Sequence, residues 1–112
     1  MASRANIYID KGLDFRTSLE LFNETGLAYT DEEIQVYNFF SGLRKVYGTT
    51  ATASFTVEKS NNDITLVMTD QQTELLTPGK YQYDVVMEKQ TGEYIKIVEG
   101  LAIVVDTITV LS

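Results

Sequence analysis

The sequence predicts an all-β fold, an immunoglobulin-like antiparallel β-sandwich of about seven strands with one short helical turn. Apolar residues recur at every second position over most of the chain, as in strands with one buried face. Turn-forming residues interrupt this alternation about every 8 to 12 residues, which is the spacing of a sandwich. No long stretch shows helical periodicity. Because 112 residues suit one hydrophobic core, we expect a single domain over residues 1–112.

The N-terminal third predicts two strands. Ile7 and Ile9 alternate with polar residues until Lys11 and Gly12 interrupt the pattern. The second strand begins at Phe15 and continues the alternation as Phe15, Thr17, Leu19 and Leu21. Asn23-Glu24-Thr25-Gly26 then supplies a turn, since Asn and Gly accept positive φ.

The segment Thr30-Asp31-Glu32-Glu33 allows two structures. It could cap a single helical turn, or it could form an acidic loop. We favour the loop. From Val36 to Tyr47 apolar and aromatic residues occupy both parities, which predicts a central strand.

Residues 51 to 69 predict a β-hairpin, with a turn at Ser60-Asn61-Asn62-Asp63. Thr69 and Gln72 have the spacing of a capping box, which predicts a short helical turn through Leu75. Pro78-Gly79 follows and suits a type II turn.

The segment from Pro78 to Tyr83 predicts a tyrosine corner, a structure common in immunoglobulin-like sandwiches. Pro78, Gly79, Tyr81 and Tyr83 are its residues, with Tyr81 at the start of a strand and Tyr83 at the position that antibodies fill with cysteine. The alternative is an ordinary junction between a turn and a strand. The same assignment places Phe39 or Phe40 in the core. The last strand is predicted from Tyr94 to Val105, with a bulge at Glu99-Gly100.

Composition excludes several classes of site. The chain has no histidine and no cysteine, so histidine acid–base catalysis, thiol catalysis and nearly all zinc sites are ruled out. We expect no catalytic, cofactor-binding or metal residues and no cofactor. The net charge of -7 argues against binding nucleic acids or anionic membranes. The sequence has neither a secretory signal nor a spanning segment, which favours folding in a cytoplasm.

Two groups of acidic residues could form a metal site or a catalytic site. Asp31-Glu32-Glu33 could bind calcium, but such a run more often forms a solvated loop. A glycosidase would need paired carboxylates, and no pairing is readable among Glu20, Glu58, Glu88 and Glu93.

Five motifs in order carry a resemblance to a known family. They are Ile7-Tyr8-Ile9-Asp10-Lys11-Gly12-x-Asp14-Phe15, Leu43-Arg44-Lys45, Ala53-Ser54-Phe55, Leu76-Thr77-Pro78-Gly79-Lys80-Tyr81-x-Tyr83-Asp84 and Glu99-Gly100. With this spacing the chain resembles small β-sandwich proteins of tailed bacteriophages, including virion proteins of T4-like phages that infect marine cyanobacteria. The resemblance extends to the N-terminal module of some baseplate proteins that bear receptor-binding domains. It implies the fold and a place in a virion after folding in the host cytoplasm. It implies no catalytic or ligand-binding residue.

The candidate interface consists of exposed aromatic residues and the C-terminal segment. Parity leaves four tyrosines that can be exposed, and exposed tyrosine is enriched at interfaces. They are Tyr8, Tyr29, Tyr47 and Tyr94. Thr107 to Leu111 is strongly β-prone. This segment, or the N-terminal strand, could pair with the sheet edge of a neighbouring subunit. The simpler alternative, which we favour, is a strand that continues within its own sheet. The interface prediction is Tyr8, Tyr47, Tyr94, Ile108 and Val110.

These patterns predict a non-enzymatic structural or adaptor protein in the tail, baseplate or neck region of a phage virion. Its expected partners are other virion proteins, with homo-oligomers also possible. The alternative is a module that binds a glycan of the host surface.

Overall fold

A computed structural model describes residues 3–22, 26–45, 53–60 and 63–108. The described residues form eight strands and two short helices, so the predicted all-β class is confirmed. The strands are β1 (Ser3–Arg4), β2 (Ile7–Asp10), β3 (Phe15–Glu20), β4 (Asn38–Lys45), β5 (Ala53–Ser60), β6 (Asp63–Met68), β7 (Gly79–Glu88) and β8 (Tyr94–Val105), and the helices are α1 (Asp31–Val36) and α2 (Asp70–Glu74).

The strands form one continuous sheet that curls into two layers. Its order is β1-β8-β7-β4-β5-β6-β3, and β2 also pairs with β8. Strand β5 belongs to both layers, because its residues 53–55 pair with β4 and its residues 56–60 pair with β6. We call β1, β2, β8, β7, β4 and residues 53–55 the front sheet, and residues 56–60, β6 and β3 the back sheet.

The two layers enclose the hydrophobic core. Every second residue of β7 is buried, from Tyr81 to Met87, as the alternation predicts. In the back sheet Ile64, Leu66 and Met68 are fully buried. The fold is therefore an immunoglobulin-like sandwich. It departs from an entirely antiparallel arrangement at one edge, where β1 and β2 run parallel to β8.

The predicted acidic loop at Thr30–Glu33 is wrong, because this segment begins helix α1. The Thr30 side chain accepts a hydrogen bond from the backbone of Glu33, and the Glu33 carboxylate accepts one from the backbone of Thr30. Ile34 is fully buried and anchors the helix. Since Val36 ends the helix, the central strand starts at Asn38 instead of Val36.

The predicted capping box at Thr69 and Gln72 is confirmed and begins helix α2. The Thr69 hydroxyl accepts from the Gln72 N–H at 3.2 Å, and the Gln72 side chain accepts from the Thr69 N–H at 2.8 Å. Both bonds satisfy donors that a helix start otherwise leaves unpaired.

We expect Thr69→Ala to lower the free energy of unfolding by about 1 kcal/mol, because it removes the acceptor at the start of α2. Chemical denaturation measures this loss. Thr91→Ala, in the exposed turn between β7 and β8, is the matched control and should change the stability by less than about 0.5 kcal/mol. Equal stability of the two variants would contradict the capping role.

The tyrosine corner is present at the start of β7. The Tyr81 hydroxyl donates to the Thr77 carbonyl at 2.7 Å and accepts from the Thr77 N–H at 3.0 Å. Gly79 has a φ of 142°, which is positive as the predicted turn requires, although larger than the ideal value for type II. The corner fixes the direction in which β7 enters the core.

The predicted bulge at Glu99-Gly100 is wrong. Glu99 pairs with Asp84 and Gly100 with Tyr83 in regular register. The register shifts instead where β8 passes from Lys96 to Val98, so Ile97 is the extra residue. A bulge of this kind places neighbouring side chains on one side of the sheet, and both Ile97 and Val98 are buried.

The structure shows which of several aromatic residues are buried. Of the two candidates on β4, Phe39 packs against the core, whereas Phe40 points outward and is 52% exposed. Tyr29 was among the tyrosines that could be exposed, but it is buried, and its ring meets that of Tyr37 edge-on with the ring centres 6.3 Å apart. No helix in the described ranges is long and apolar enough to cross a membrane.

Candidate interaction surface

The outward side of the front sheet carries most of the exposed apolar side chains that belong to strands. We call it the front face. Its members follow from the register, because paired residues of neighbouring strands point to the same side of a sheet. They are Arg4, Tyr8, Asp10, Asn38, Phe40, Gly42, Arg44, Ser54, Lys80, Gln82, Asp84, Val86, Glu88, Tyr94, Lys96, Glu99, Leu101, Ile103 and Val105.

One end of the front face is aromatic. The Phe40 and Tyr94 rings lie 6.5 Å apart at an angle of 45°. Val86 lies between their strands on β7, directly opposite Phe40. Tyr94 is 63% exposed, so this end offers a partner two rings and an aliphatic side chain.

A polar group borders the aromatic end. Glu88 accepts a hydrogen bond from the Asn38 amide at 3.2 Å and another from the Tyr94 hydroxyl. The hydrogen bond to Glu88 raises the pKa of Tyr94, and repulsion between that carboxylate and a phenolate raises it further. The raised pKa keeps the Tyr94 hydroxyl protonated at neutral pH.

The middle of the front face is an open depression of about 500 Å³. It lies where Gly42 leaves the outward side of the sheet without a side chain, and Gly100 also lines it. Charged residues line it: Arg4, Arg44 and Lys96 against Asp84 and Glu99. The Lys96 ammonium lies 3.5 Å from Glu99 and 3.9 Å from Asp84. The two arginines make no ion pair within the described part of the chain, which leaves their guanidinium groups available to a partner.

The other end of the front face is apolar again. Tyr8 pairs with Ile103, and Val105 lies two residues further along β8. Tyr8 is 66% exposed. Exposed apolar side chains thus lie at both ends of the face, with the charged depression between them, and Asp10 and Lys80 lie beside those of the second end.

The outward side of the back sheet is different, because it is polar and paired within itself. Arg16 donates to Glu58 at 2.9 Å, and the Ser18 and Thr65 hydroxyls lie 3.1 Å apart. Val67 is the one large apolar residue whose side chain points outward among the described positions of this sheet. A partner that buries apolar area would therefore choose the front.

The charge of the front face also differs from that of the whole chain. Four acids and four bases lie on it, whereas the chain has 16 acids and nine bases. The face is therefore close to neutral, and the net charge of -7 resides elsewhere. The bases are Arg4, Arg44, Lys80 and Lys96, and the acids are Asp10, Asp84, Glu88 and Glu99.

The edge of the front face is held from beneath by Tyr83. Its hydroxyl donates to the Ala5 carbonyl at 2.5 Å, and the Ala5 N–H donates to the backbone carbonyl of Glu99 at 3.0 Å. Ala5 joins β1 to β2, so these bonds fasten both strands to β8. Burial raises the pKa of Tyr83 from 10.0 to about 12.

We expect Tyr83→Phe to lower the free energy of unfolding by about 1 kcal/mol at pH 8, because the bond to Ala5 is lost. The difference should shrink as the pH rises from 10 to 12. The folded state keeps the Tyr83 proton while the unfolded state loses it, so the stabilisation is complete below the unfolded pKa and is lost above it. Denaturation of both proteins across this range measures the effect. A constant difference would contradict it.

The structure brings two of the predicted interface residues to one surface. Tyr8 and Tyr94 lie on the front face, at opposite ends. Ile108 is 97% exposed but lies beyond β8 rather than on the face. Tyr47 and Val110 lie outside the described residues. Phe40 was not predicted to be a surface residue, and Val86, Leu101 and Ile103 were not predicted to share its face. The sequence feature that could have identified them is the presence of apolar residues at both odd and even positions of the segments that form β4, β7 and β8.

The two chain ends were considered for pairing with a neighbouring subunit. Strand β8 ends at Val105, as predicted. The segment from Thr107 to Leu111 was expected to continue as a strand in its own sheet, but Thr107 and Ile108 belong to no strand, and residues 109–111 lie outside the described residues. The Thr107 hydroxyl instead donates to the Lys11 carbonyl at 2.7 Å. The N-terminal strand was considered for pairing with a neighbouring subunit, yet β1 and β2 both pair with β8 of their own chain.

The acidic residues weighed as sites are separated or paired. Glu20 and Glu58 lie on the back sheet, Glu88 lies on the front sheet and Glu93 lies in the turn before β8. Glu58 pairs with Arg16, and Glu93 lies 3.9 Å from Lys89. Within the described ranges, no three acidic side chains are grouped closely enough to hold a metal ion.

Comparisons with known proteins find structures of similar fold but no related sequence. No protein-family model and no curated protein matches the chain. Among solved structures it is similar to fibronectin(III)-like modules of CbhA from Clostridium thermocellum, with a TM-score of 0.47 and 16% identity over 95% of this chain and 91% of that chain. A family 123 glycoside hydrolase from Clostridium perfringens gives a TM-score of 0.42 and 9% identity over 94% of this chain. The chain covers 23% of that hydrolase. Neither likeness assigns a function.

Proposed function

We propose that this protein is a non-enzymatic structural or adaptor protein of a bacteriophage virion, in the tail, baseplate or neck region. It works by assembling with other virion proteins through the front face. The observation that carries the assembly role is the contrast between the two outward surfaces of the sandwich. The front face exposes aromatic and aliphatic side chains, and the back sheet presents a polar, internally paired surface.

Exposing the apolar side chains of the front face to water is unfavourable in free energy, which favours assembly through this face. Phe40 and Tyr94 are each more than half exposed and lie side by side, and Tyr8 is more than half exposed at the other end. Adjoining exposed apolar groups with polar surroundings are typical of protein interfaces. Tyrosine supplies a large rigid contact area at a small cost in conformational entropy. The charged centre can then fix the orientation of the partner.

The assignment to a phage particle is supported by the sequence resemblance, whose motifs occupy connected parts of the structure. Motif residues form β2, the end of β4, the start of β5, the tyrosine corner and the middle of β8. These segments belong to the front sheet or, in the case of the tyrosine corner, to the turn that leads into it. A virion protein of this kind needs a stable scaffold with a docking surface and no reactive group.

Analysis of purified particles tests this function. We expect peptides of the chain in particles of the encoding phage after density-gradient purification, at several copies per particle. Immunogold labelling should mark the tail, baseplate or neck. Particles that are complete and infectious without the chain, or labelling of free protein only, would contradict the proposal.

A glycan-binding function is the second candidate, because one observation favours it. The exposed Phe40 and Tyr94 rings lie beside the Glu88 carboxylate and the Asn38 amide. Aromatic faces suit the apolar side of a sugar ring, and the adjacent oxygen and nitrogen atoms suit its hydroxyl groups.

A glycan array separates the two functions. Reproducible binding that is lost in Tyr94→Ala and kept in the control Tyr8→Ala would favour a glycan module at the aromatic end. Tyr47→Ala tests the remaining tyrosine that the sequence singled out. Absence of binding by the wild-type chain would leave assembly as the function of this surface.

A further inference from the structure

We propose that the front face binds the front face of a second copy of this chain, so that the protein forms a symmetric dimer with the two front sheets stacked. The inference deepens the assembly role and rests on that part of the proposed function. It does not depend on the location within a particle. A symmetric contact requires a surface that is complementary to itself. The charge of the front face, the distribution of its apolar residues and its area each bear on this requirement.

Charge favours a second copy at this surface and disfavours it elsewhere. Two chains of net charge -7 repel each other through most of their surfaces. The front face, with four acids and four bases, is where this repulsion is smallest. Arg4 and Arg44 lack ion-pair partners among the described residues and lie in the charged centre, where Asp84 and Glu99 share the ammonium group of Lys96. A second copy stacked centre on centre can bring its Asp84 and Glu99 to these guanidinium groups.

The pattern along the face suits a two-fold axis through its middle. The aromatic end holds Phe40, Val86 and Tyr94, and the other end holds Tyr8 and Ile103. An axis parallel to the strands places like ends together, and an axis across the strands places opposite ends together. In either orientation apolar ends meet apolar ends, and the charged centre of one copy covers that of the other.

The available area is sufficient for a stable dimer. About ten paired residues along β7 and β8 give a length of roughly 35 Å, and five neighbouring strands give a width of roughly 20 Å. The flat area is therefore roughly 700 Å² for each copy, or about 1,400 Å² in total, within the usual range of specific interfaces. The depression of about 500 Å³ at the centre leaves room for the long Arg4 and Arg44 side chains.

Sedimentation equilibrium and native mass spectrometry of the purified chain test the dimer. We expect a dimer of the 12.6 kDa chain at micromolar concentrations. Phe40→Ser combined with Tyr94→Ser should raise the dimer dissociation constant at least about tenfold, as expected when aromatic residues that an interface buries are removed. Tyr8→Ser combined with Ile103→Ser tests the other end independently. The matched control is Leu75→Ser, which removes an 84% exposed apolar side chain from the residue that follows α2 and should leave the constant unchanged.

Two results would overturn the inference. The first is a wild-type chain that remains monomeric at a concentration of about 100 μM. The second is a dimer that persists in both double variants, provided that circular dichroism shows both variants to be folded. The proposed function fails separately: a dimer that is absent from purified particles contradicts particle membership alone. A monomer that is incorporated into particles contradicts only the dimer. Dimers displaced by a sugar that the glycan array identifies would assign the aromatic end to glycan and overturn the stacked arrangement.

Discussion

Gly100→Ala is expected to lower the free energy of unfolding by about 3 kcal/mol and to detach the N-terminal strands from β8. A Cβ at Gly100 would lie 2.1 Å from the Ala5 oxygen and 2.8 Å from its carbonyl carbon. Both atoms are backbone and cannot rotate away. The Ala5 carbonyl would have to move, which also breaks its hydrogen bond with Tyr83. Overpacking costs about 1–3 kcal/mol, and the lost bond adds about 1 kcal/mol.

Chemical denaturation measures this loss, and limited proteolysis reports the N-terminal segment. We expect Gly100→Ala to be cut between residues 3 and 10 much faster than the wild-type chain. Gly42→Ala is the matched control, because Gly42 is also in the front sheet and its nearest neighbour to an added Cβ is 3.3 Å away. That variant should lose less than about 1 kcal/mol. Wild-type stability of Gly100→Ala would contradict the packing of Ala5 beneath β8.

Thr73→Val is expected to destabilise the protein by about 2 kcal/mol although the two side chains have nearly the same shape. The Thr73 hydroxyl is fully buried, donates to the Leu13 carbonyl at 2.8 Å and accepts from the Gly12 N–H at 3.0 Å. These bonds fasten α2 to the loop between β2 and β3. Valine would leave both backbone groups unpaired in a partly buried place, which costs about 1–3 kcal/mol.

Thr73→Ser provides the control for this effect. It keeps the hydroxyl and removes one methyl group, so we expect a loss of about 1 kcal/mol. Thermal or chemical denaturation of both variants measures the order. If serine destabilised the protein more than valine, packing of the methyl group would be the main contribution of Thr73 and the hydrogen bonds a minor one.

Strand positions were readable from the sequence where one face of the strand is buried. The alternation from Tyr81 to Met87 and the bounds Tyr94–Val105 are reproduced by the structure. The capping box at Thr69 was readable for a similar reason, since both of its hydrogen bonds are local. Local chemistry and two-residue periodicity therefore carried most of the fold.

Features that depend on distant contacts were not readable. Helix α1 is short and its capping box was visible, but Ile34 stabilises it by burial that only the folded chain provides. Gly100 was interpreted as a bulge, because glycine within a strand indicates either a bulge or a close backbone approach. The close approach is that of Ala5, 95 residues earlier in the sequence.

The front face was only partly predictable for the same reason. Tyr8 and Tyr94 were selected by their parity, but the sequence could not place them on one surface without the register of β2 and β7 on β8. Phe40 shows the difficulty most clearly. Its neighbour Phe39 has the same residue type, and only the pairing of β4 with β7 decides which ring faces the core.

Cross-linking of lysines in purified phage particles, followed by mass spectrometry, tests the central claim most directly, because it reports both presence in the particle and the surface that is in contact. Lys80 and Lys96 lie on the front face, and Lys59 lies on the back sheet, where it donates to the Gln35 carbonyl at 3.0 Å. We expect intermolecular cross-links from Lys80 and Lys96. Intermolecular cross-links confined to Lys59, or absence of the chain from the particles, would contradict the account.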